Sequence, residues 1–368
     1  MRLYQSVLFL LTFFFIQFYP HQTYSQTDLE FGGYLQAWYI ANHDEDVLYT
    51  STGNLPVLNV QTEHSSSFKI RRARLTAKGT ISETFSIRSW VELTAENRSL
   101  LDLYLDAKLS EKLTLRSGQM VMPGQSYDTS RHFSSKLLLV ERPSVTTKIS
   151  SMMGYNAFRD VGVVAFGTLG KLWYGIQISN GLGRIHQPGF TFFDRNFGSG
   201  LIGGRVDYEI IEGVELGAHL STNQQRNLIQ HGSEPIDINR TSWSLRASFE
   251  NLLLTGFFAN AEYISFNSND DNWEISSTPG EPFSLSGFYA LTGYNITQNW
   301  NISARFDQLK GNSDNFSSNQ YTFGVTRLIH LDSTEIARLH LDYSFSESGP
   351  MNLNESMVVL ALQLKFIP

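Results

Sequence analysis

The sequence predicts an all-β fold, a single sixteen-stranded antiparallel transmembrane β-barrel, and three observations carry that prediction. Apolar and polar residues alternate with period two in sixteen segments of roughly 9–14 residues, which is how a strand with one greasy and one wet face reads. Beyond residue 25 no stretch approaches the ~18 uninterrupted apolar residues of a membrane helix, so the chain spans a bilayer only as a closed barrel. The links between segments alternate between short and mostly long, as in an up-and-down meander. Composition narrows the rest. A hydrophobic content of 41% suffices for a core and excludes a disordered chain. With 28 basic against 35 acidic residues and no basic block, the chain offers little to nucleic acid. The absence of Cys excludes disulfides, thiolate metal sites and Cys nucleophiles.

Residues 1–25 stand apart. Arg2 precedes an apolar stretch over 7–18 and a polar segment ending Thr23-Tyr24-Ser25, the pattern of a secretory signal cut before Gln26. Losing Arg2, the only basic residue of that segment, leaves 27 basic against 35 acidic residues, a net charge of −8 on one barrel domain of residues 26–368.

The strand segments then follow at 29–40, 67–79, 84–95, 101–109, 113–121, 160–169, 171–180, 200–210, 213–222, 239–250, 252–266, 284–296, 299–309, 319–331, 334–346 and 355–367. In the second, Arg72, Arg74, Thr76 and Lys78 share one face and Ala73, Leu75, Ala77 and Gly79 the other. In the fourth, Leu103, Leu105 and Ala107 alternate with Asp102, Tyr104 and Asp106. The thirteenth sets Trp300, Ile302, Ala304 and Phe306 against Asn301, Ser303, Arg305 and Asp307, and the fifteenth sets Leu339, Leu341 and Tyr343 against His340, Asp342 and Ser344. The last sets Val358, Leu360, Leu362 and Leu364 against Val359, Ala361, Gln363 and Lys365. Short links near 79–83, 110–112, 170, 211–213, 251, 297–298 and 332–333 alternate with polar ones near 41–66, 96–100, 122–159, 181–199, 223–238, 267–283, 310–318 and 347–354. An even strand count puts both termini with the short turns, on the periplasmic side of an outer-membrane barrel, and the long loops outside. A propeller would repeat a blade signature, and none recurs; sixteen long strands exceed a single sandwich.

Several motifs carry a resemblance. Phe68-Lys69-Ile70-Arg71-Arg72-Ala73-Arg74-Leu75 with Gly79, then Gly118-Gln119 with Pro123, Arg159-Asp160-Val161-Gly162-Val163 and Asn180-Gly181-Leu182-Gly183, together with Gly33-Tyr34-Leu35-Gln36 near the start, are similar in order and kind to the phosphate-selective porin O/P family. The likeness is sharp over roughly residues 30–185 and architectural beyond. It implies a sixteen-stranded, usually homotrimeric porin of the Gram-negative cell outer membrane. It also implies an inward-folding third loop that narrows the pore and arginines that attract anions.

The residues support a channel wall. Arg72 and Arg74 belong on the lumen face, because Arg against lipid at mid-membrane costs ~2–4 kcal/mol. Arg71 has the opposite parity, so it sits at the outer rim or is turned inward by a bulge; the resemblance favours the lumen. Arg88 and Arg116 fall on lumen-facing positions of the next strands. The 122–158 connection carries an apolar run at 137–140 with Arg131, Lys136, Arg142 and Lys148, next to Arg159 and against Asp128, Glu141 and Asp160. It either packs inside the barrel, its bases at the constriction, or forms an extracellular lid. Paired guanidinium donors suit phosphate or carboxylate, although a wide aqueous lumen would solvate charge of either sign. Wet-face acids, among them Glu92, Asp102, Asp106, Asp207, Glu262, Asp307 and Asp342, argue for weakly selective diffusion over strict phosphate specificity.

Other constellations read as bland. His219-Leu220-Ser221 has the spacing of a lipid-hydrolysing barrel but no orienting partner, and His340 with Asp342 reads as a solvated pair. His43-Asp44-Glu45-Asp46 holds hard oxygen ligands without calcium-loop spacing, and a solvated loop tip is favoured. The expected function is passive diffusion of small hydrophilic solutes, anions such as phosphate foremost, in contact with outer-membrane lipids and with no cofactor, metal or catalysis. The competing class is a non-transporting barrel, either a lipid-hydrolysing enzyme or a surface-binding scaffold.

Overall fold

The computed structural model describes residues 28–52, 55–94, 98–128, 137–155, 157–183, 200–228, 236–251, 254–269, 283–312, 317–349 and 353–366. The expected signal segment 1–25, Arg131 and Lys136 lie outside them. Sixteen antiparallel strands follow in chain order: β1 (Asp28–Thr52), β2 (Leu55–Thr80), β3 (Phe85–Leu93), β4 (Arg98–Ser110), β5 (Leu113–Val121), β6 (Arg159–Leu169), β7 (Leu172–Ser179), β8 (Gly200–Ile211), β9 (Val214–Leu228), β10 (Ile236–Glu250), β11 (Phe257–Ser268), β12 (Phe283–Thr297), β13 (Trp300–Gly311), β14 (Ser318–Leu331), β15 (Thr334–Ser348) and β16 (Leu353–Phe366). Each pairs with its sequence neighbours, and β1 pairs with β16, from Gly33 opposite Phe366 to Asp44 opposite Glu355, so the barrel is closed.

The alternation is inside out relative to a soluble protein. On β16 Val359, Ala361 and Gln363 are buried towards the lumen, whereas Leu360, Leu362 and Leu364 lie exposed on the outer wall. On β13 Asn301, Ser303, Arg305 and Asp307 point inward and Trp300 and Ile302 outward. An exposed apolar belt of this kind is stable only against hydrocarbon.

β1, β2, β9 and β11 depart most from expectation, β9 by running on to Leu228 where 222 is expected. The segment 41–66 is not a loop: β1 and β2 continue as one hairpin, paired up to Thr52 opposite Leu55. That extension lies past the point where lipid and lumen impose opposite polarities, so it carries no alternation to read. The eleventh strand begins at Phe257 instead of 252, because Asn251 at φ 56° and Gly256 at φ 89° form a wider turn, closed by the Phe257 amide donating to the Leu254 carbonyl at 2.9 Å.

The register of β1 with β2 slips at one point: Gln36 faces Arg72 and Ala37 faces Ile70, so Arg71 is the extra residue of a bulge. The bulge reverses parity. Arg72 and Arg74 point inward below it, while Ile70 and Phe68 point outward above it.

Between β5 and β6 the chain enters the barrel and forms helix α1 (Ser144–Met152). Val145, Ile149 and Met152 recur at helical spacing and make its buried face. They pack with Met120, Met122, Met153 and Tyr155 against Leu201, Ile264, Phe266, Phe283 and Leu285 of the wall. Burying each large apolar side chain contributes roughly 1.5–3 kcal/mol, so this core holds the loop in place and leaves Thr147, Lys148 and Ser151 facing the open lumen.

One glycine is indispensable to the wall here. Gly118 on β5 has φ +133°, and a Cβ there would lie 2.2 Å from the Leu103 carbonyl oxygen. Gly118→Ala is expected to destabilise the barrel by about 1–3 kcal/mol, read from urea unfolding out of lipid vesicles.

Candidate pore and constriction

The inward loop is fastened to the wall from β7 to β15. The Gly124 amide donates to Gln177 Oε1 at 2.7 Å, and its carbonyl accepts from Tyr155 Oη at 3.0 Å and from the Ser221 hydroxyl. Burial pushes the Tyr155 phenol well above its ordinary pKa, so it remains a donor at any physiological pH. Asn223 Nδ2 donates to the Met153 carbonyl at 2.7 Å, and the Tyr127 amide to Glu262 Oε2 at 3.1 Å. Further along, Thr326 Oγ1 donates to the Leu138 carbonyl at 2.9 Å, the Val140 amide to Asp342 Oδ2 at 2.6 Å, and Arg305 Nη1 to the Glu141 carbonyl at 2.6 Å. Helix α1 has Pro143 at its N-cap and no side-chain cap of its own. Asp307 Oδ1, from β13, takes the Ser144 amide at 2.9 Å and its hydroxyl as well. A wall carboxylate thus satisfies a first-turn amide and meets the positive end of the helix dipole.

The remaining wall, β1 to β6, holds most of the expected arginines. Arg71, Arg72 and Lys69 gather around Trp38, with Arg71 Cζ 5.2 Å, Arg72 Cζ 5.7 Å and Lys69 Nζ 5.6 Å from its ring centroid. Arg72 is buried and donates from Nη1 to Gln36 Oε1 at 2.5 Å. Stacking a guanidinium on an aromatic face leaves its edge N–H groups in the ring-parallel plane, and here it is Arg71, not the buried Arg72, that presents them to solutes. Arg74 is ion-paired to Glu92 at 2.6 Å and donates to Tyr34 Oη at 2.8 Å. Arg88 lies 5.5 Å from the Trp90 centroid. Arg116 is held bidentately by Asp106 at 2.6 and 2.7 Å and stacks 4.0 Å from the Tyr104 centroid. Arg159 is held bidentately by Asp102 at 2.7 and 3.2 Å. Arg142 leaves the pore path, bonding Asp128 Oδ2 at 2.7 Å within the loop and stacking 5.0 Å from the Phe158 centroid.

Four lumen arginines were not singled out from sequence: Arg205, Arg246, Arg305 and Arg338. Each carries its own acid. Arg205 pairs with Asp207 at 3.0 Å, Arg246 with Asp207 at 2.9 Å and with Glu215, Arg305 with Asp307 at 3.0 Å, and Arg338 with Glu335 at 2.5 Å. The signal was available in Arg205-Val206-Asp207 and Arg305-Phe306-Asp307, where two-residue spacing sets base and acid side by side on one wet face.

The loop also brings an acid beside the arginines of β2. Glu141 Oε1 lies 4.0 Å from Arg71 Nε, and both side chains are 38% exposed, open to solutes in transit. A chamber of about 320 Å³ remains on the other side of the loop, lined by Leu138, Glu141, Phe258, Tyr289, Leu291 and Arg305. The catalytic spacing does not assemble: His219 Nδ1 bonds Ser244 Oγ at 2.6 Å and its Nε2 bonds Ser242 Oγ at 3.2 Å, while Ser221 is committed to Gly124. His340 bonds Thr326, and Asp342 anchors the loop.

Residues 50–176 match the model of the phosphate-selective porin O and P family. No curated protein matches the sequence. Among solved structures, the chain is similar to the anion-selective porin from Comamonas acidovorans at 12% identity and TM-score 0.65, covering 93% of this chain and 100% of that one. It is similar to the outer membrane channel DcaP of Acinetobacter baumannii at 11% identity and TM-score 0.64, covering 94% and 99%. Its likeness to OmpT, an outer membrane protein of Vibrio cholerae, has 9% identity and TM-score 0.62 over 93% and 98%.

Proposed function

We propose, for a chain that residues 50–176 join to the phosphate-selective porin O and P family and whose sixteen-stranded barrel points to the bacterial outer membrane, a passive channel for small hydrophilic solutes with a modest preference for anions. The observation that carries this is the pairing pattern of the lumen charges. Arg74, Arg116, Arg159, Arg205, Arg246, Arg305 and Arg338 each have a carboxylate partner, so they line the wall without adding net charge, and Arg142 is likewise paired within the loop. Beside the loop the balance tips: Arg71, Arg72 and Lys69 gather around Trp38, with Glu141 opposite Arg71. Local excess positive charge draws anions, and the opposing carboxylate keeps them from binding too tightly to leave. The anion-selective Comamonas porin is consistent with this sign, while the abundance of compensating acids supports weak selectivity for anions at large over a dedicated phosphate site.

No step of turnover is assigned. Ser221 is tied to the loop and His219 to Ser242 and Ser244 of the wall, and solutes move down their gradients. Processing after Ser25 and assembly as a homotrimer are what the leader pattern and the family resemblance support.

Purified protein added to planar bilayers is expected to give ohmic conductance steps whose reversal potential in a salt gradient indicates anion preference. A bilayer that stays silent at high protein would overturn the channel reading in favour of a plugged scaffold. Glu141→Gln removes the opposing acid and is expected to raise the chloride-over-potassium permeability ratio by roughly twofold at low salt.

A further inference from the structure

We propose that the extracellular hairpin of β1 and β2 carries a transition-metal site made by His43 and His64. The two residues are direct cross-strand partners in the register. Their rings stack with centroids 4.5 Å apart and an interplanar angle of 23°, and their Nδ1 atoms lie 3.1 Å apart. An ion bound tetrahedrally through two imidazole bonds of 2.0–2.1 Å spans a nitrogen separation of roughly 3.3 Å. The observed gap is therefore within a few tenths of an ångström of a chelate bite, and the stacked rings must turn about their Cβ–Cγ bonds to aim both Nδ1 lone pairs at one ion. Neutral imidazole is the commonest ligand for zinc, copper and nickel, which identifies the class of ion.

Placement on the barrel favours access. His43 and His64 share the outer face with Tyr39 and Phe68, whose rings lie 4.8 Å apart and of which Phe68 is exposed. Four residues along a strand is about 13 Å, which carries the pair past this aromatic contact towards the outside. The antiparallel ladder fixes both backbones, so the second imidazole is delivered without ordering a loop. In the metal-free pair the proton on one Nδ1 donates to the other ring. Binding requires that proton to move to Nε2 through solvent, leaving two lone pairs for the ion. Among the residues whose side chains are described, no third His, Cys, Asp or Glu joins the pair.

The test uses the detergent-solubilised full-length barrel and Cu²⁺ or Zn²⁺ alone. Calorimetric titration is expected to resolve one site per chain that weakens at least about tenfold in His43→Gln and equally in His64→Gln, because the second ligand binds intramolecularly. The double variant, which loses the remaining imidazole as well, should bind more weakly than either single one but by less than the sum of the two single losses. Copper electron paramagnetic resonance is expected to register two equatorial imidazole nitrogens in the parent and one in each single variant. Conductance, which does not depend on this pair, verifies that the variants remain folded. Unchanged affinity in either variant, additive losses, or a single nitrogen in the parent would each overturn the site.

Discussion

Arg72→Ala is expected to lower the chloride-over-potassium permeability ratio about two- to fivefold at 0.1 M salt, with single-channel conductance little changed. The argument rests on what surrounds the guanidinium. It is buried, it stacks near Trp38, it bonds a neutral Gln36, and its neighbour Arg71 already has Glu141 4.0 Å away. Removing it takes charge out of the constriction without stranding a carboxylate. Arg116→Ala, by contrast, leaves Asp106 without the guanidinium that holds it at 2.6 and 2.7 Å. Because the Debye length shortens from about 10 Å to about 3 Å between 0.1 and 1 M, the Arg72 effect should fade at high salt. A ratio unmoved at 0.1 M removes Arg72 from the selectivity account.

The second large effect concerns the loop. Asp307→Ala combined with Asp342→Ala removes the acceptors of the Ser144 and Val140 amides. Each unmatched buried amide costs roughly 1–3 kcal/mol, so the segment from Leu137 to helix α1 should detach from β13 and β15. The expected reading is a conductance at least about twofold higher with frequent closures, since a loosened loop still occupies the lumen part of the time. Steady conductance at the parent level would mean that the apolar contacts of Val145, Ile149 and Met152 alone hold the loop.

The strands were legible because lipid and water sit on opposite sides of a wall one residue thick. Leu360 and Leu362 must face hydrocarbon and Gln363 must not, and the sequence alternates accordingly. Where that partition ends, legibility ends with it: the outer parts of β1 and β2 pair residue by residue yet looked like a loop. Arg71 is an intermediate case. Its parity announced a choice between rim and bulge, but only the register, with Gln36 opposite Arg72 and Ala37 opposite Ile70, makes it a bulge. The loop contacts were out of reach. The Val140 amide meets Asp342, 202 residues away, through a segment with no period, and whether a lumen arginine is paired depends on such contacts. The bases expected from the loop at the constriction show this: Arg142 turns to Asp128, and Glu141 takes the place beside Arg71.

The seam between β1 and β16 has a consequence for biogenesis. Gln36 Nε2 meets Gln363 Oε1 at 2.5 Å across 327 positions of chain, so the first strand keeps one open edge until the last strand is there to pair with it. An unpaired edge is a template for misjoining, and contacts this distant in sequence form slowly. Closure of the cylinder therefore comes last, and until it does the outward-facing leucines of both terminal strands have no partner strand beside them on that edge.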